Sequence, residues 1–503
     1  MKYLLLLLIP ITILINIRNN NKAYFDFDPN YIYLFNGINL ATQHGKIGHY
    51  DNPGTPVIVF SAVVMKTTYL FRNSSDAFPI DVLRNPQHYI NVIAWTFSVI
   101  DALLILLLGV FILRTTKDIT YSLLFQSIPY LSKVIFTWCF QLLSPEPVLF
   151  GSVILFIILF LWKYFFNKSF GDITFEYGQN HKITIDKFMI WFALIMGFCL
   201  ATKITSVPLL LLPLLFISRL KNKFVFLIFV FISFILFTLP IARYYKMLVF
   251  WMANLFLHSG NYGVGSMNII DLNKAFENFM VFIKNEPIIS GVLVLSLIII
   301  MKQVLQKKYD INLKILGGFF LVQIADLIMI FKNFELHYFI PVIPTIAVNI
   351  FMILQILNFS KIIRASAILI FVIMCIYLNK EFPRISPPEY SIIDENNCIN
   401  IYSYNCSSPM FGLKFGNEYS LNMNTPYLEK IYGKQYFYNL WVRAITDWQD
   451  TISIDELAGK NKPIYLYMYE PYIKDWPTPF NLKKVSEGKF LIETSKTDSL
   501  KLE

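Results

Sequence analysis

Charged side chains are scarce in this sequence: they make up 15% of its 503 residues, whereas soluble domains carry about a quarter. Hydrophobic residues make up 56%, and the mean hydropathy is +0.53. The apolar residues form repeated runs that are long enough to cross a hydrocarbon layer of about 30 Å. The shortage of charge therefore excludes an ordinary soluble protein and indicates several membrane spans.

Three other features are missing, and each excludes or disfavours one class of protein. The apolar runs do not alternate in period two, so the spans are predicted to be helices and not strands of a barrel. The first run has no small-residue cleavage site, because Arg18 and a run of asparagines follow it, and we expect it to remain as an anchor. No internal repeat stands out, which disfavours transporter folds built from inverted repeats.

Cysteine is also rare, with five residues in the chain. Cys139, Cys199 and Cys375 lie in apolar runs, where we expect them to pack as small hydrophobic side chains. Cys398 and Cys406 lie in the polar tail and can pair only if that tail meets an oxidising compartment.

The apolar runs predict an α-helical polytopic membrane protein with about eleven spans. The predicted segments lie near residues 3–16, 91–113, 119–141, 147–166, 188–201, 204–218, 224–240, 287–301, 315–331, 338–357 and 365–378. A polar tail follows, and its stretch "KPIYLYMYEPYI" is typical of a strand. We therefore expect a membrane domain over 1–378 and a small α/β or α+β domain over 379–503.

The basic residues predict which way the chain crosses the membrane. With the N-terminus in the cytoplasm, five consecutive short cytoplasmic connections carry two to four lysines or arginines each. The short connections on the other side carry little positive charge beyond Lys203 and Lys332, which is the positive-inside pattern. The same distribution explains the formal net charge of +10, so a nucleic-acid partner is not expected. The loops 17–90 and 243–286 and the tail are then extracytoplasmic, as in a multi-pass protein of a bacterial inner membrane.

The unusual polar residues gather on this predicted outer side. They are Asp26, Asp28, His49, Asp51, Glu146, Lys203, Arg243, His258, Tyr262, Glu335, His337 and Tyr338. Charges close to a membrane are expensive and are candidates for function. Structural explanations exist for single residues: Asp28 before Pro29 can cap a helix, Asp51 can belong to a turn, and Lys203 can extend to the membrane surface from a helix end.

A carboxylate and cations at the outer face suit the transfer of a group from a lipid phosphate. The carboxylate acts as a general base on an acceptor hydroxyl, and cations such as Lys203 and Arg243 hold the phosphate as it leaves. Apolar grooves between the spans can hold the lipid tail.

Five motifs, in order along residues 1–378, resemble the GT-C membrane glycosyltransferases of the protein O-mannosyltransferase and aminoarabinose transferase type. They are "FDFDPNYIYLFNG", "HYDNPGTPVIVFSA", "LSPEPVLFGSVILF", "GFCLATKITSVPLLLLP" and "ELHYFIPVIPTIAV". The resemblance implies a GT-C fold and a glycosyltransferase that takes a sugar from a polyprenyl-phosphate donor. The acceptor is then an extracytoplasmic glycan, lipid or protein.

The resemblance also implies roles for individual residues. Asp28 takes the place of the catalytic acid, with Asp26 as the second choice, and Lys203 contacts the carrier phosphate. Glu146, Arg243, His258, Tyr262, His337, Tyr338, His49 and Asp51 are then candidates for substrate binding. Some relatives hold a divalent cation such as Mg²⁺ or Mn²⁺ at the acidic motif, which here would use Asp26 and Asp28. Pro29 replaces the usual second acid, and this departure favours a reaction without an obligatory metal.

Two alternatives remain open. A polysaccharide polymerase or ligase that uses undecaprenyl-pyrophosphate-linked glycans would rely on Arg and His in a large late loop, whereas the acids of this chain lie early. A transporter of lipid-linked glycans would place its polar residues at mid-membrane inside broken helices.

Overall fold

The computed structural model describes most of the chain. The described residues are 2–20, 27–42, 46–140, 142–167, 176–177, 183–184, 187–258, 267, 272–332, 335–379, 398–403, 409–439, 443–468, 473, 476, 481–486 and 488–493.

Six of the described helices are long and apolar enough to cross a membrane, as expected for a polytopic helical membrane protein. They are α6 (Pro86–Thr116), α9 (Pro145–Asn167), α12 (Leu220–Thr238) continued into α13 (Tyr245–Leu257), α15 (Pro287–Leu305), α16 (Ile311–Lys332) and α18 (Lys361–Asn379). The sequence predicts about eleven spans, so several predicted segments have a different form.

The other predicted spans are short or broken into pieces. They comprise α1 (Lys2–Leu5), α2 (Leu8–Asn20), α7 (Ile119–Gln126), α8 (Lys133–Cys139), α10 (Lys187–Thr202), α11 (Leu211–Phe216) and α17 (Ile346–Leu357). Three of these predicted spans, 119–141, 204–218 and 338–357, are interrupted by tight 3₁₀ turns over Ile128–Leu131, Ile204–Leu210, Leu336–Phe339 and Ile343–Thr345. Each of these three spans contains proline, which lacks the N–H that a continuous helix requires.

The chain divides into two compact units. The first comprises Met1–Asn21, Tyr50–Val57 and Ala94–Arg384, and it contains most of the apolar helices. Its tightest helix pair is α10 with α12, where Gly197 faces Ser233 and lets the two backbones approach closely. A short antiparallel pair, β1 (Glu176–Tyr177) with β2 (Ile183–Thr184), also belongs to this unit.

The second unit comprises Lys22–His49, Ile58–Ile93 and Ile385–Glu503, so segments of the first predicted outer loop join the tail. Its helices are α3 (Phe27–Thr42), α4 (Thr55–Arg72, which begins in the first unit), α5 (Phe78–Arg84), α19 (Pro409–Glu418), α20 (Thr425–Tyr432) and α21 (Ile454–Ala458). Its strands are β3 (Ile399–Ser403), β4 (Tyr436–Asn439), β5 (Ala444–Thr446), β6 (Thr451–Ile452), β7 (Ile464–Tyr467), β8 (Asn481–Ser486) and β9 (Lys489–Glu493).

These seven strands form one mixed sheet in the order β6-β5-β4-β3-β7-β9-β8. The central strands β4, β3 and β7 are parallel, and the outer strands pair antiparallel. The strand expected from "KPIYLYMYEPYI" is β7, and its residues Ile464, Leu466 and Tyr467 are buried. The prediction of a small C-terminal sheet domain is confirmed.

Helix α3, which carries the first acidic motif, packs against α19 of the tail. Gly412 and Gly416 on α19 lie against Tyr31, and a Cβ at Gly412 would meet the Tyr31 ring at 2.6 Å. Buried amides complete the contact, since the Asn36 side chain donates to the Tyr419 carbonyl at 3.1 Å. Helix α3, whose first turn contains Asp28, is therefore fixed to the C-terminal domain.

Candidate functional site

A buried ion pair joins two of the predicted site residues. Glu146 lies in the first turn of α9, and Lys203 follows the last residue of α10, where the backbone becomes extended (φ −157°, ψ 129°) before the next 3₁₀ turn. The Lys203 ammonium donates to Glu146 Oε1. The two residues are 4% and 1% exposed, so each charge depends on the other for its stability.

His337 and Tyr338 adjoin this ion pair. His337 Nε2 lies 4.0 Å from Glu146 Oε1, and the Lys203 ammonium lies 4.6 Å from the centre of the Tyr338 ring. Trp138 at the end of α8 stacks on the His337 imidazole, with ring centres 3.9 Å apart. The structure therefore brings together four residues that the sequence indicates separately, and it adds an indole that the sequence does not indicate.

The charges in this cluster favour a neutral imidazole beside a cation. Burial, together with the nearby positive charge of Lys203, holds the pKa of His337 well below its usual range. Among the described residues, Glu146 Oε2 is buried without a hydrogen-bond partner. A ligand at this cluster would meet an ammonium, a neutral imidazole and an acceptor oxygen.

A second buried acid, Asp101, lies near the same cluster and was missed by sequence reasoning. It lies on α6, is 2% exposed, and comes so close to α9 that a Cβ on Gly151 would meet its carboxylate at 2.6 Å. The Cys139 thiol lies near Asp101 and Lys203 as well, and it donates to the backbone carbonyl of Glu146 at 3.7 Å. The signal was available, because Asp101 is an acid inside a long apolar run.

An apolar cavity of about 390 Å³ is lined in part by Leu200 and Ile204, which flank Lys203 in the sequence. Its walls come from the segment around Lys203 and from α12 and α13, and they include Leu200, Ile204, Val207, Leu227, Val230, Phe231, Phe234, Leu248 and Val249. Phe231 and Val249 are 63% and 64% exposed in the protein, so this side of the cavity faces outward. Its apolar walls suit a hydrocarbon chain.

Asp51 and Arg243 belong to a different neighbourhood of the first unit. Arg243 is exposed in the 3₁₀ segment Leu239–Tyr244, and its guanidinium lies 5.7 Å from the centre of the Tyr244 ring. Tyr244 stacks on Tyr50 with ring centres 5.8 Å apart. Burial raises the pKa of the neighbouring Asp51 carboxyl to about 6.

Asp28 and His49 belong to the second unit. Asp28 is exposed, and its backbone is extended (φ −100°, ψ 114°) before the helix continues from Pro29. This is the geometry of a residue that precedes a helix. His49 contacts Tyr33 edge-on, with ring centres 5.4 Å apart, and burial lowers its pKa to about 4.

Three remaining predictions concern residues near or outside the described segments. Asp26 and Tyr262 lie outside the described residues. His258 directly follows α13, and its backbone forms a bridge with Met267.

No group of three His, Cys, Asp or Glu side chains suited to a metal ion occurs among the residues that the structure describes. Asp28 alone does not form a cation site, so a cation held by Asp26 and Asp28 stays a prediction.

Comparison of the chain with protein-family models, with curated proteins and with solved structures gives no match.

Proposed function

We propose that this protein is a membrane glycosyltransferase that moves a sugar from a polyprenyl-phosphate donor to an extracytoplasmic acceptor. The observation that supports this proposal is the buried Lys203–Glu146 pair with His337, because an ammonium at the end of a helix whose flanking residues Leu200 and Ile204 line an apolar cavity suits a lipid-linked phosphate. The five motifs that resemble GT-C enzymes support the same activity.

The reaction assigns a role to each group. The Asp28 carboxylate removes the proton from the acceptor hydroxyl as its oxygen bonds to the anomeric carbon of the sugar. The bond between that carbon and the phosphate oxygen breaks, and the oxygen keeps the electron pair. Lys203 stabilises the released polyprenyl phosphate, and the neutral His337 donates a hydrogen bond to it.

The apolar cavity lined by α12 and α13 gives the donor lipid a place. A polyprenyl chain lies in the cavity lined by Leu200, Ile204 and Phe231, and its phosphate reaches Lys203. Burial of the chain contributes affinity that does not depend on the sugar. We therefore expect donors with a short prenyl chain to bind more weakly than long ones.

Transfer of a labelled sugar tests the proposal. Purified protein is incubated with radiolabelled polyprenyl-phosphate sugars and with candidate acceptors, and the label is followed from the lipid to a product. We expect Asp28→Asn to lower the rate by about 10²-fold or more and Lys203→Gln to abolish donor use, whereas Lys203→Arg keeps part of the activity. Asp76→Asn is the matched control, because Asp76 pairs with Arg84 on the protein surface.

The variants separate the role of the base from that of the phosphate site. Loss of transfer in Asp28→Asn with unchanged donor binding supports a base. Full activity of Asp28→Asn would move the base to Asp26 or remove this mechanism. Elution of each variant as a single folded species on size-exclusion chromatography shows that the fold is intact.

A further inference from the structure

A second cavity, of about 580 Å³, lies in the first unit. Tyr164 and Phe165 in its wall lie near the end of α9, whereas Glu146 lies in the first turn of the same helix. The 18 or so residues between them span roughly 27 Å of helix. This cavity therefore lies at the opposite end of the membrane part from the Lys203–Glu146 cluster.

Aromatic rings form much of the wall. Tyr121 from α7 and Phe351 from α17 meet edge to face, with ring centres 4.8 Å apart. Tyr164 and Phe165 from α9 pack on the same Phe351 ring at 6.4 and 6.0 Å. These rings are held by one another, so the shape of the cavity is set before a ligand arrives.

Polar groups from three helices enter this aromatic cavity. Arg364 on α18 donates through one nitrogen to Asp118 at 2.9 Å, and its Nε has no hydrogen-bond partner among the described residues. The guanidinium lies 5.0 Å from the centre of the Tyr121 ring. The Tyr121 hydroxyl accepts a hydrogen bond from Gln355 at 2.8 Å, which leaves its own proton available to a ligand.

The surrounding charge favours an anion. The Asp118 carboxylate is already neutralised by Arg364 and accepts hydrogen bonds from the backbone and hydroxyl of Thr120. Within three residues of the lining residues the sequence also places seven basic residues against the single further acid Asp310: Arg114, Lys117, Lys163, Lys168, Lys308, Lys314 and Lys361. A group that enters beside Arg364 therefore meets an excess of positive charge.

We propose that this cavity binds the phosphate headgroup of an anionic phospholipid, with the Arg364 guanidinium and the Tyr121 hydroxyl as the phosphate donors. Four membrane-spanning helices, α6, α9, α16 and α18, contribute their ends to the region around it, which is the depth of lipid headgroups. The volume suits a headgroup and its glycerol backbone better than a lone inorganic phosphate. This site does not depend on the proposed transferase activity.

Lipid binding by the full chain tests the proposal. The protein is purified in detergent with its lipids removed, and native mass spectrometry measures the binding of added phosphatidylglycerol and phosphatidylcholine. We expect the wild type to prefer phosphatidylglycerol. Arg364→Gln should weaken that binding about tenfold or more, because a hydrogen bond to a charged group is lost, and Tyr121→Phe should weaken it severalfold. Lys221→Gln, which removes an exposed charge at the start of α12, away from the lining residues, should change it less than twofold.

Arg364→Gln also leaves Asp118 without its partner, so Arg364→Lys serves as the second variant. It keeps the charge and loses the planar fork, and we expect intermediate binding. Unchanged phosphatidylglycerol affinity in both Tyr121→Phe and Arg364→Lys would overturn the proposal. An equal loss in Lys221→Gln would overturn it too, because it would show that the lipid responds to diffuse surface charge. Displacement of the lipid by millimolar glycerol phosphate would indicate a soluble phosphate ligand instead.

Discussion

At the scale of single residues, the Lys203–Glu146 pair decides how the cluster behaves, because both charges are buried. Removing one partner from such a pair leaves the other charge in an apolar environment, whereas removing both replaces the pair with neutral groups. The intact pair therefore contributes little to the free energy of unfolding, whereas the loss of either partner alone is costly. Single and double variants measure this contrast.

We expect Lys203→Met and Glu146→Gln each to lower the free energy of unfolding by about 3–5 kcal/mol. The double variant should recover a large part of this loss, because neither charge is then left unpaired. Thermal unfolding of the four proteins in detergent measures the coupling energy between the two residues. Lys434→Met is the control, since Lys434 pairs with Asp447 at the surface, and we expect a loss below about 1 kcal/mol. A loss in Lys203→Met as small as this one would contradict the buried-pair interpretation.

A second residue gives stability a dependence on pH. Glu286 precedes the span α15, is 5% exposed and accepts a hydrogen bond from Ser132 at 2.6 Å. Burial raises its pKa from 4.5 to about 7, against the opposing effects of Ser132 and Lys133. The folded protein therefore holds this proton more tightly than the unfolded chain. The resulting stability is present at low pH and is lost as the pH rises through 7.

Glu286→Gln should remove this pH dependence. The amide stays neutral and still accepts from Ser132, so we expect the variant to match the wild type near pH 5 and to exceed it by roughly 2 kcal/mol at pH 8. Thermal unfolding at both pH values measures the difference. Glu277→Gln, an exposed acid on α14 (Leu272–Asn285), should leave the profile unchanged. Equal melting temperatures of wild type and Glu286→Gln at pH 8 would rule out a buried ionised carboxylate at this position.

The sequence predicts which residues belong to the Lys203–Glu146 cluster better than it predicts their contacts. Lys203, Glu146, His337 and Tyr338 were indicated one at a time, each by a polar residue at the edge of an apolar run, and the structure brings them into one cluster. Their mutual contacts were not predictable, because they come from three segments that are distant in the sequence. Asp101 is not indicated in this way, because it lies inside the predicted span 91–113 and not at its edge.

At the scale of helices and strands, hydropathy predicts where a segment is apolar but not whether it is one continuous helix. The predicted spans 147–166, 287–301 and 365–378 correspond to α9, α15 and α18. The predicted spans 119–141, 204–218 and 338–357 are broken by 3₁₀ turns. Proline explains the breaks, since it removes a backbone donor and clashes with the preceding turn, and an average over a window of hydropathy does not register it.

The contact between α3 and α19 also depends on a single residue type. A Cβ at Gly412 would meet the buried ring of Tyr31 at 2.6 Å, so Gly412→Ala should force the helices apart and lower the free energy of unfolding by about 1–3 kcal/mol. Gly459→Ala is the control, because its nearest neighbour would lie at 3.5 Å, an ordinary contact. Thermal unfolding measures both, and equal losses in the two variants would contradict close packing at Gly412.

At the scale of the whole molecule, the division into units differs from what composition suggests. The composition of the polar tail predicts a separate domain after residue 378. In the structure, residues 385–503 form one unit with 22–49 and 58–93. Composition cannot reveal this, because the contact joins α3 to α19 across more than 360 residues and rests on glycines and buried amides. Glycine and asparagine are also typical of loops, so their presence in the sequence does not indicate a contact between helices.

The direction of the chain through the membrane is the remaining prediction at this scale. Starting from Glu335, whose side chain is 61% exposed, the chain passes through the broken segment that ends in α17 and then through α18 to the tail. If both segments cross, the tail lies on the same side as Glu335. Lys308 lies at the other end of α16, about 33 Å of helix away, and therefore on the opposite side if α16 crosses the membrane too.

Cysteines placed in a background without native cysteines test this arrangement. We expect Glu335→Cys and Val485→Cys, both at exposed positions, to react with a membrane-impermeant maleimide in intact cells. Lys308→Cys should react only after permeabilisation, because it lies among the lysines that the positive-inside pattern assigns to the cytoplasm. Labelling of Val485→Cys together with Lys308→Cys would mean that the segment broken by proline turns back without crossing. The tail, and α3 with it, would then lie in the cytoplasm, and Asp28 could not serve an extracytoplasmic acceptor.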